Sequence, residues 1–318
     1  MHLSFQSLTD AVKRFFRRPV RAVLFAMAVA FLLLAWLFIP PSPALTEFKV
    51  GTVSNKGWTS VLNHPVDLNV QVLRVGAIQM DRNSLLQQGP QDWSERYAAL
   101  AVKAYVFEHP NYGLFAIDAG FHRSFADQNE GNYNGLMRVM VKLSNIENSL
   151  TTPALDALIP VNTLKGMFLT HLHPDHTSGI ESFPADMPVI ADVREYDWLG
   201  KLINTDLLEK HRHWQYLSFE HAASIAPFNE VLDVFGDGSV WALSTRGHSA
   251  GHVSYLLNDT KGAVLVTGDA SHFGFGFHQR LAPAAPGETN KQFARQSLNA
   301  LVSFAEQFPQ VRVELGHE

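Results

Sequence analysis

The stretch T-H-L-H-P-D-H-T-S-G, from Thr170 to Gly179, places three histidines and an aspartate within six residues. Imidazoles this close together repel one another when protonated, whereas a divalent cation binds neutral imidazoles and ionised carboxylates directly. The apolar run Met167–Leu169 before it is typical of a strand, and Pro174 stiffens the loop that follows. A solvated loop rich in histidine is the alternative, but the His-x-His-x-Asp-His spacing favours a metal site. The candidate ligands in this loop are His171, His173, Asp175 and His176.

Further candidate ligands follow strand-like runs later in the chain. His248 lies among glycines after such a run, Asp269 ends another, and His317 follows Val311–Leu315. Side chains at strand ends that share one edge of a sheet can meet at one point, where a single carboxylate can bridge two cations. His252, close to His248 in sequence, is interpreted as a structural histidine.

The composition indicates a globular body that binds metal without thiolates. The chain has 318 residues, of which 46% are hydrophobic and 17% charged, enough for one large domain or two small ones. Cysteine is absent, so metal binding must use His, Asp and Glu. This donor set suits zinc in a hydrolytic role, with iron and manganese as alternatives. The net charge of -5 argues against a nucleic-acid partner.

The N-terminus predicts a membrane anchor. Ala22 to Ile39 carries no charge and has the length of a membrane-spanning helix, about 17–25 residues. Basic residues within 1–21 place that end in the cytoplasm and the body on the outer, periplasmic side of the inner membrane. A cleaved signal peptide with a secreted body is the alternative, as is a buried helix. Residues 40–67 are then a proline-stiffened linker, and residues 68–318 form the main domain.

Strand and helix patterns mix along the body, which favours an α/β sandwich. Helices are predicted at 134–148, 152–158, 193–216 and 291–308. Strands are predicted at 70–75, 101–107, 113–118, 164–169, 188–191, 231–235, 240–243, 253–257, 263–267 and 311–315.

Together these motifs resemble the metallo-β-lactamase fold superfamily, from about Leu68 to the C-terminus. The resemblance rests on the order Asp118, His171-x-His173-x-Asp175-His176, His248, Asp269 and His317. It implies an αββα sandwich of two mixed β-sheets with outer helices, and two Zn²⁺ at one edge between the sheets. His171, His173 and His248 would hold one metal. Asp175, His176 and His317 would hold the second, with Asp269 bridging and Asp118 ordering the loops beneath.

Within that superfamily the chain looks most like the N-acyl homoserine lactonases. The resemblance extends to Gly179-Ile180, Phe183-Pro184 and Arg194-Glu195-Tyr196. It implies a metal-bridging hydroxide that attacks a lactone or ester of a small-molecule substrate, with Asp175 passing a proton to the leaving group. Where those lactonases commonly carry a Tyr after the bridging Asp, this chain has His272, which we expect to bind the substrate carbonyl.

Other functions use the same core. A β-lactamase, a glyoxalase II-like thioesterase and a non-catalytic membrane-tethered binding protein are the alternatives, and the oligomeric state is open. The phenylalanines after Asp269 predict an apolar lip for an acyl chain or a loop that packs on the body: Phe273, Phe275 and Phe277. The wall opposite is expected from Phe121, Phe125 and Tyr133.

Overall fold

The structure is a computed structural model that describes residues 43–52, 57–90, 92–126, 131–134, 138–139 and 147–318. The predicted membrane segment 22–39 lies outside these residues, as does most of the predicted helix 134–148. Among the helices that are described, none combines the length and the apolar character that crossing a membrane requires.

The described strands form two mixed sheets. The eight-stranded sheet has the order β1-β8-β7-β6-β4-β3-β2-β5, and the six-stranded sheet has the order β14-β13-β12-β11-β10-β9. In the first sheet the bounds are β1 Leu45–Glu47, β2 Gln71–Asp81, β3 Tyr97–His109, β4 Gly113–Ile117, β5 Glu147–Ser149, β6 Leu164–Phe168, β7 Val189–Asp192 and β8 Trp214–Leu217. In the second they are β9 Ala223–Ile225, β10 Phe228–Asp233, β11 Val240–Ser244, β12 Val253–Leu257, β13 Val264–Val266 and β14 Arg312–Glu314.

Helices cover the outer faces of both sheets. The α-helices are α1 Trp58–Leu62, α2 Leu155–Leu158, α3 Pro174–Thr177, α4 Trp198–Ile203, α5 Thr205–Lys210, α6 Gly274–His278 and α7 Gly287–Gln307. The longest of the described helices, α7, turns Leu298, Leu301 and Phe304 toward the second sheet. The predicted helix at 291–308 is therefore confirmed, and it begins one turn earlier than its apolar pattern indicated.

The alternation of side chains along the strands separates the layers. In β12, Val253, Tyr255 and Leu257 pack between the two sheets, whereas Leu256 packs against the α7 side. This is the period of two that a strand imposes, with both faces buried. A third apolar cluster lies on the other face of the first sheet, under α2, α3 and α5. The order of layers is thus helix, sheet, sheet, helix, as the resemblance implied.

Two predicted segments differ from the structure. Residues 193–216 are not one helix: a 3₁₀ turn at Val193–Tyr196 and the short helices α4 and α5 are followed by β8. Trp214 in β8 is buried against its parallel neighbour β7, so sheet pairing overrides the helical spacing. The predicted linker 40–67 contains β1, which pairs with β8, and α1, whose Trp58 is buried against Trp241. The burial of Trp58 and Val61 and the pairing of β1 make these parts of the segment belong to the packed domain.

The packing of α7 predicts a large effect for one core substitution. Leu301 is fully buried, so Leu301→Ala should lower the free energy of unfolding by about 2–5 kcal/mol through lost contacts and the cavity left behind. Urea unfolding followed by circular dichroism measures this loss. Gln307→Ala, on the exposed end of the same helix, should change it by less than about 0.5 kcal/mol. Equal effects of the two substitutions would contradict the assigned face.

Candidate metal centre

Parallel pairing brings the ends of four strands to one edge of the sandwich. Ile117 at the end of β4 is paired with Phe168 at the end of β6, and Val266 of β13 is paired with Glu314 of β14. The residues that follow these ends are the ones singled out in the sequence. Parallel strands point the same way, so their C-terminal ends meet at one edge and deliver these side chains together.

The candidate ligands form two groups that share one carboxylate. The atoms within each group lie within 4.8 Å of one another. The first group, which we call group A, is His171, His173, His248 and Asp269. The second, group B, is Asp175, His176, Asp269 and His317. The structure therefore brings together every residue that the sequence predicted as a ligand.

Buried nitrogen atoms in both groups lack partners among the described residues. His171 Nε2 and His176 Nε2 are buried and make no hydrogen bond. His171 Nε2 lies 3.7 Å from Asp269 Oδ2, and His176 Nε2 lies 3.4 Å from Asp269 Oδ1. Buried polar atoms are normally satisfied, so this arrangement is incomplete without a further group. Imidazole nitrogens and carboxylate oxygens converging at these distances fit a divalent cation such as zinc.

The two groups differ in their electrostatics. In group A, burial and the neighbouring His176 hold the pKa of His171 well below its usual range, and burial does the same for the pKa of His248. These imidazoles are therefore neutral, the form that binds a metal. In group B, burial opposes ionisation, but Asp175 and Asp118 outweigh it and raise the pKa of His176 well above its usual range.

The shared carboxylate is ionised. Burial alone would raise the pKa of Asp269, but His317 and His176 outweigh it and hold that pKa well below its usual range. A protonated histidine beside Asp269 balances its charge, and a divalent cation would displace that proton and take over the same role. A Cβ atom at residue 316 would lie 2.7 Å from Asp269 Oδ1, so only glycine permits this approach of the chain.

Outer hydrogen bonds orient the group B histidines. His176 Nδ1 donates to Asp118 Oδ2 at 2.8 Å, and Asp118 Oδ1 accepts from the Thr170 N–H at 2.8 Å. His317 Nδ1 donates to the carbonyl of Ala101 at 2.8 Å. In both rings the remaining Nε2 is thereby turned toward Asp269, as in many metal-ligating histidines. Asp118 thus contacts the loop in the way the resemblance implied.

The segment that carries His317 is tied to the first sheet. Lys103 Nζ donates to Glu314 Oε2 and to the carbonyl of Leu315, each at 3.0 Å. The Ala101 N–H donates to the carbonyl of His317 at 3.0 Å. Because Lys103 is buried, this ion pair is well shielded from water. His317 is therefore held in place by β3.

Two more histidines lie beside the groups. His272 Nε2 is 3.5 Å from Asp269 Oδ2, and its ring stacks on that of His317 with centroids 5.5 Å apart. It therefore lies next to the shared carboxylate and to one ligand candidate of group B. His252 Nδ1 is 2.9 Å from Thr245 Oγ1, and its ring lies 5.2 Å from that of His171. It belongs to neither group of described ligand candidates, in line with its structural interpretation.

Two buried residues hold the histidine loop in a way that sequence reasoning did not predict: Glu195, which was quoted only as part of the resemblance, and Asn204. Glu195 Oε2 accepts from the Leu172 N–H at 2.9 Å, and Asn204 Nδ2 donates to the Leu172 carbonyl at 2.7 Å. Both peptide groups of the residue between His171 and His173 are thus fixed. Burial raises the pKa of Glu195 to about 7, against the hydrogen bonds that favour its ionised form. Neither residue has a spacing that marks it, because each acts across long sequence separations.

A cavity of about 480 Å³ opens beside group A. Its lining includes His173 and His248 together with Ala284, Ala285 and Pro286. Small apolar side chains here leave room for an organic group next to the candidate ligands.

The phenylalanines after Asp269 contact the body, Phe273 through Trp93, and an acyl-chain lip formed by them stays a prediction. Phe277 is buried in the body, whereas Phe275 is 42% exposed and packs against Trp93. Phe121 and Phe125 are fully buried and in contact with each other, and Tyr133 packs on Phe125. Their burial makes Phe121 and Phe125 part of the core rather than a surface wall.

Residues 99–310 match the family described as the metallo-beta-lactamase superfamily. The chain belongs to this superfamily. The match spans the histidine loop, His248 and Asp269, and the topology of two mixed sheets agrees with it. The assignment made from the separated motifs is confirmed.

Curated relatives include several N-acyl homoserine lactonases. AttM of Azorhizobium caulinodans is 28% identical over 182 residues, which cover 54% of this chain and 66% of that protein. AttM of Agrobacterium fabrum is 26% identical over 181 residues, again 54% of this chain and 66% of that protein. The metallo-hydrolase mfmC of Annulohypoxylon moriforme is 34% identical over 113 residues, 32% of this chain and 30% of that protein. The chain thus spans just under two thirds of the lactonases it matches.

Solved structures of lactonases share the fold. An N-acyl homoserine lactone hydrolase with N-hexanoyl-L-homoserine at its catalytic metal centre has a TM-score of 0.58 and 21% identity, covering 80% of this chain and 94% of that one. AidC, a dizinc quorum-quenching lactonase, has a TM-score of 0.51 and 15% identity, covering 86% of this chain and 91% of that one. The curated relatives confirm the resemblance to lactonases drawn from the sequence, and these structures add a shared fold.

The hydrogen bond to His176 predicts the effect of Asp118→Asn. Loss of the carboxylate charge should weaken binding of one metal equivalent by about 10–100-fold, because His176 becomes a poorer and less well oriented donor. A zinc titration in competition with a chromophoric chelator measures both equivalents. Asp186→Asn, an exposed site, is the control. Unchanged affinity for both equivalents in Asp118→Asn would contradict this role.

Proposed function

We propose that this protein is a hydrolase that binds two divalent cations, expected to be zinc, and hydrolyses a lactone or an ester. The expected substrates belong to the N-acyl homoserine lactone class. The observation that carries this proposal is the pair of ligand groups sharing Asp269 beside an apolar cavity. The names of the matched relatives support the substrate class.

The ligand roles follow from the two groups. His171, His173 and His248 would hold one cation, and Asp175, His176 and His317 the other. Asp269 faces both groups, so its two oxygens suit a bridging role. When bound, such a metal pair supplies a water of lowered pKa and a Lewis acid for the substrate carbonyl.

Side chains of the centre would move the proton and orient the substrate. Asp175 Oδ2 lies 3.3 Å from His176 Nε2 and 3.6 Å from His317 Nε2, at the rim of group B. Its carboxylate is proposed to accept the proton of the attacking water and pass it to the leaving oxygen. His272 is proposed to donate an imidazole N–H to the carbonyl oxygen of the substrate.

The cavity beside group A supports an acyl substrate. Ala284, Ala285 and Pro286 present apolar surface within reach of His173 and His248. An acyl chain lying there would place its carbonyl at the metal groups. A thioester or a β-lactam also carries a carbonyl of suitable chemistry, so these substrates are the alternatives that the assay must separate.

Turnover tests the proposal. The full chain loaded with zinc should hydrolyse N-hexanoyl-L-homoserine lactone with release of one proton per ring opened, measured with a pH indicator. Chelation should abolish the activity and added zinc restore it. Asp269→Asn should lower kcat/KM by at least about 100-fold, since both cations lose a shared ligand.

A panel of substrates decides between the alternatives. A thioester and a β-lactam are assayed beside the lactone under the same conditions. Faster turnover of either would replace the lactone as the substrate class. No turnover of any of them by protein that holds metal would favour the non-catalytic binding protein.

We also propose that residues 22–39 anchor the protein in the inner membrane with the body on the periplasmic side. The support is the uncharged run after a basic N-terminus. Full-length protein should stay with membranes after alkaline carbonate extraction. The double substitution Ala30→Asp with Leu33→Arg should release it, and recovery of a shortened soluble chain from the wild type would favour signal cleavage.

A further inference from the structure

The Glu195 carboxylate connects the two loops that supply the group A imidazoles. Its Oε2 accepts from the Leu172 N–H at 2.9 Å, between His171 and His173. Its Oε1 accepts from Ser249 Oγ and from the Gly251 N–H, both at 2.6 Å, just after His248. The side chain is only 4% exposed, so these bonds are not in competition with bulk water.

The connection depends on a carboxylate. Both oxygens of Glu195 accept hydrogen bonds from backbone N–H groups on opposite sides, and a carboxylate offers acceptor sites on both atoms. An amide in its place would present an NH₂ to one of these donors. A Cβ atom on residue 251 would lie 2.9 Å from the Glu195 backbone nitrogen and 2.9 Å from Asp192 Oδ1, so glycine lets the second loop come this close.

Asn204, the other buried residue at this loop, does not make the same connection. Its amide nitrogen donates to the Leu172 carbonyl at 2.7 Å, and its oxygen accepts from Thr177 Oγ1 at 2.8 Å. Both of these contacts are to the first histidine loop and the helix after it. Of these two buried residues, Glu195 is therefore the one that makes hydrogen bonds to both loops.

The imidazoles that this connection brings together face one another directly. His248 Nε2 lies 2.9 Å from His173 Nδ1, across the boundary between the two loops. Both rings belong to group A. One contact between two side chains does not by itself fix the spacing of the two loops, and the hydrogen bonds of Glu195 to the backbone of both loops supply a further restraint.

We propose that Glu195 is a positioning residue for the group A metal: it fixes the loop of His171 and His173 against the loop of His248 and so sets the spacing of the three imidazoles. This inference rests on the metal-binding part of the proposed function. Group B has its own supports, because His176 is held by Asp118 and His317 by Ala101. The effect of Glu195 is therefore specific to one of the two metal equivalents.

Release of cobalt from the full-length protein tests this. Wild-type protein, loaded with about two equivalents of Co²⁺, is mixed with excess chelator, and the loss of the visible d–d absorption is followed in time. In Glu195→Gln, one equivalent should leave about 10–100 times faster than in the wild type, and the other at the wild-type rate. The d–d spectrum of the fast equivalent should also change, because the geometry of its imidazoles changes.

Asp233→Asn is the matched control. Asp233 is a buried carboxylate that accepts from the Gly236 and Gly238 N–H groups, each at 2.9 Å, in the hairpin between β10 and β11. The Asp233→Asn substitution removes the same kind of hydrogen bond to the backbone. It should therefore lower thermal stability while leaving the release rates of both metal equivalents unchanged. Ser249→Ala removes one of the bonds to Glu195, and should speed release of the same equivalent by a smaller factor if Glu195→Gln does not fold.

The outcomes separate the two proposals. If Glu195→Gln and Ser249→Ala release both equivalents at the wild-type rates, the role of Glu195 is overturned. The same holds if Asp233→Asn accelerates metal release equally. Neither result affects the proposed function. A wild-type protein that retains no cobalt overturns the metal-dependent function, and the role of Glu195 with it. Acceleration of a single equivalent in the Glu195 and Ser249 variants alone supports the inference.

Discussion

A buried negative charge at Asp269 is the constraint around which this structure is organised. Isolating a carboxylate from water is costly unless opposite charge or hydrogen-bond donors surround it. Imidazole nitrogens of His171, His248 and His317 lie within 3.1 to 3.7 Å of its oxygens. These rings come from different loops, so one charge requires the ends of strands in both sheets to converge.

The sandwich architecture satisfies that requirement. Short parallel pairs at β4–β6 and β13–β14 end at the same edge, one pair in each sheet. The apolar residues between the sheets, such as Tyr255 and Phe168, hold the two edges at a fixed separation. The reactive side chains can then lie on loops while their spacing is set by the rigid layers beneath them.

Much of this could be predicted from the sequence, for physical reasons that also explain the failures. The ligands follow short apolar runs such as Met167–Leu169 and Val264–Val266, which are a local feature of the sequence, so strand ends and ligand types could both be predicted. The roles of Glu195 and Asn204 were not predicted because their partners lie far along the chain, as Gly251 does for Glu195, and nothing local marks such a bond. The segment 193–216 carries helical spacing, yet β8 forms within it because pairing with β7 buries Trp214. That gain depends on tertiary contacts, which a local pattern does not contain.

The ion pair between Lys103 and Glu314 has a thermodynamic consequence for metal uptake. Ordering a flexible segment on binding would cost about 1–2 kcal/mol per residue in backbone entropy. Here the residues around His317 are already fastened to β3 through Lys103 and Ala101, so this ligand is preorganised before any cation arrives. Binding of a cation by His317 therefore costs little conformational entropy in this part of the chain, and less of the binding free energy is lost to ordering it.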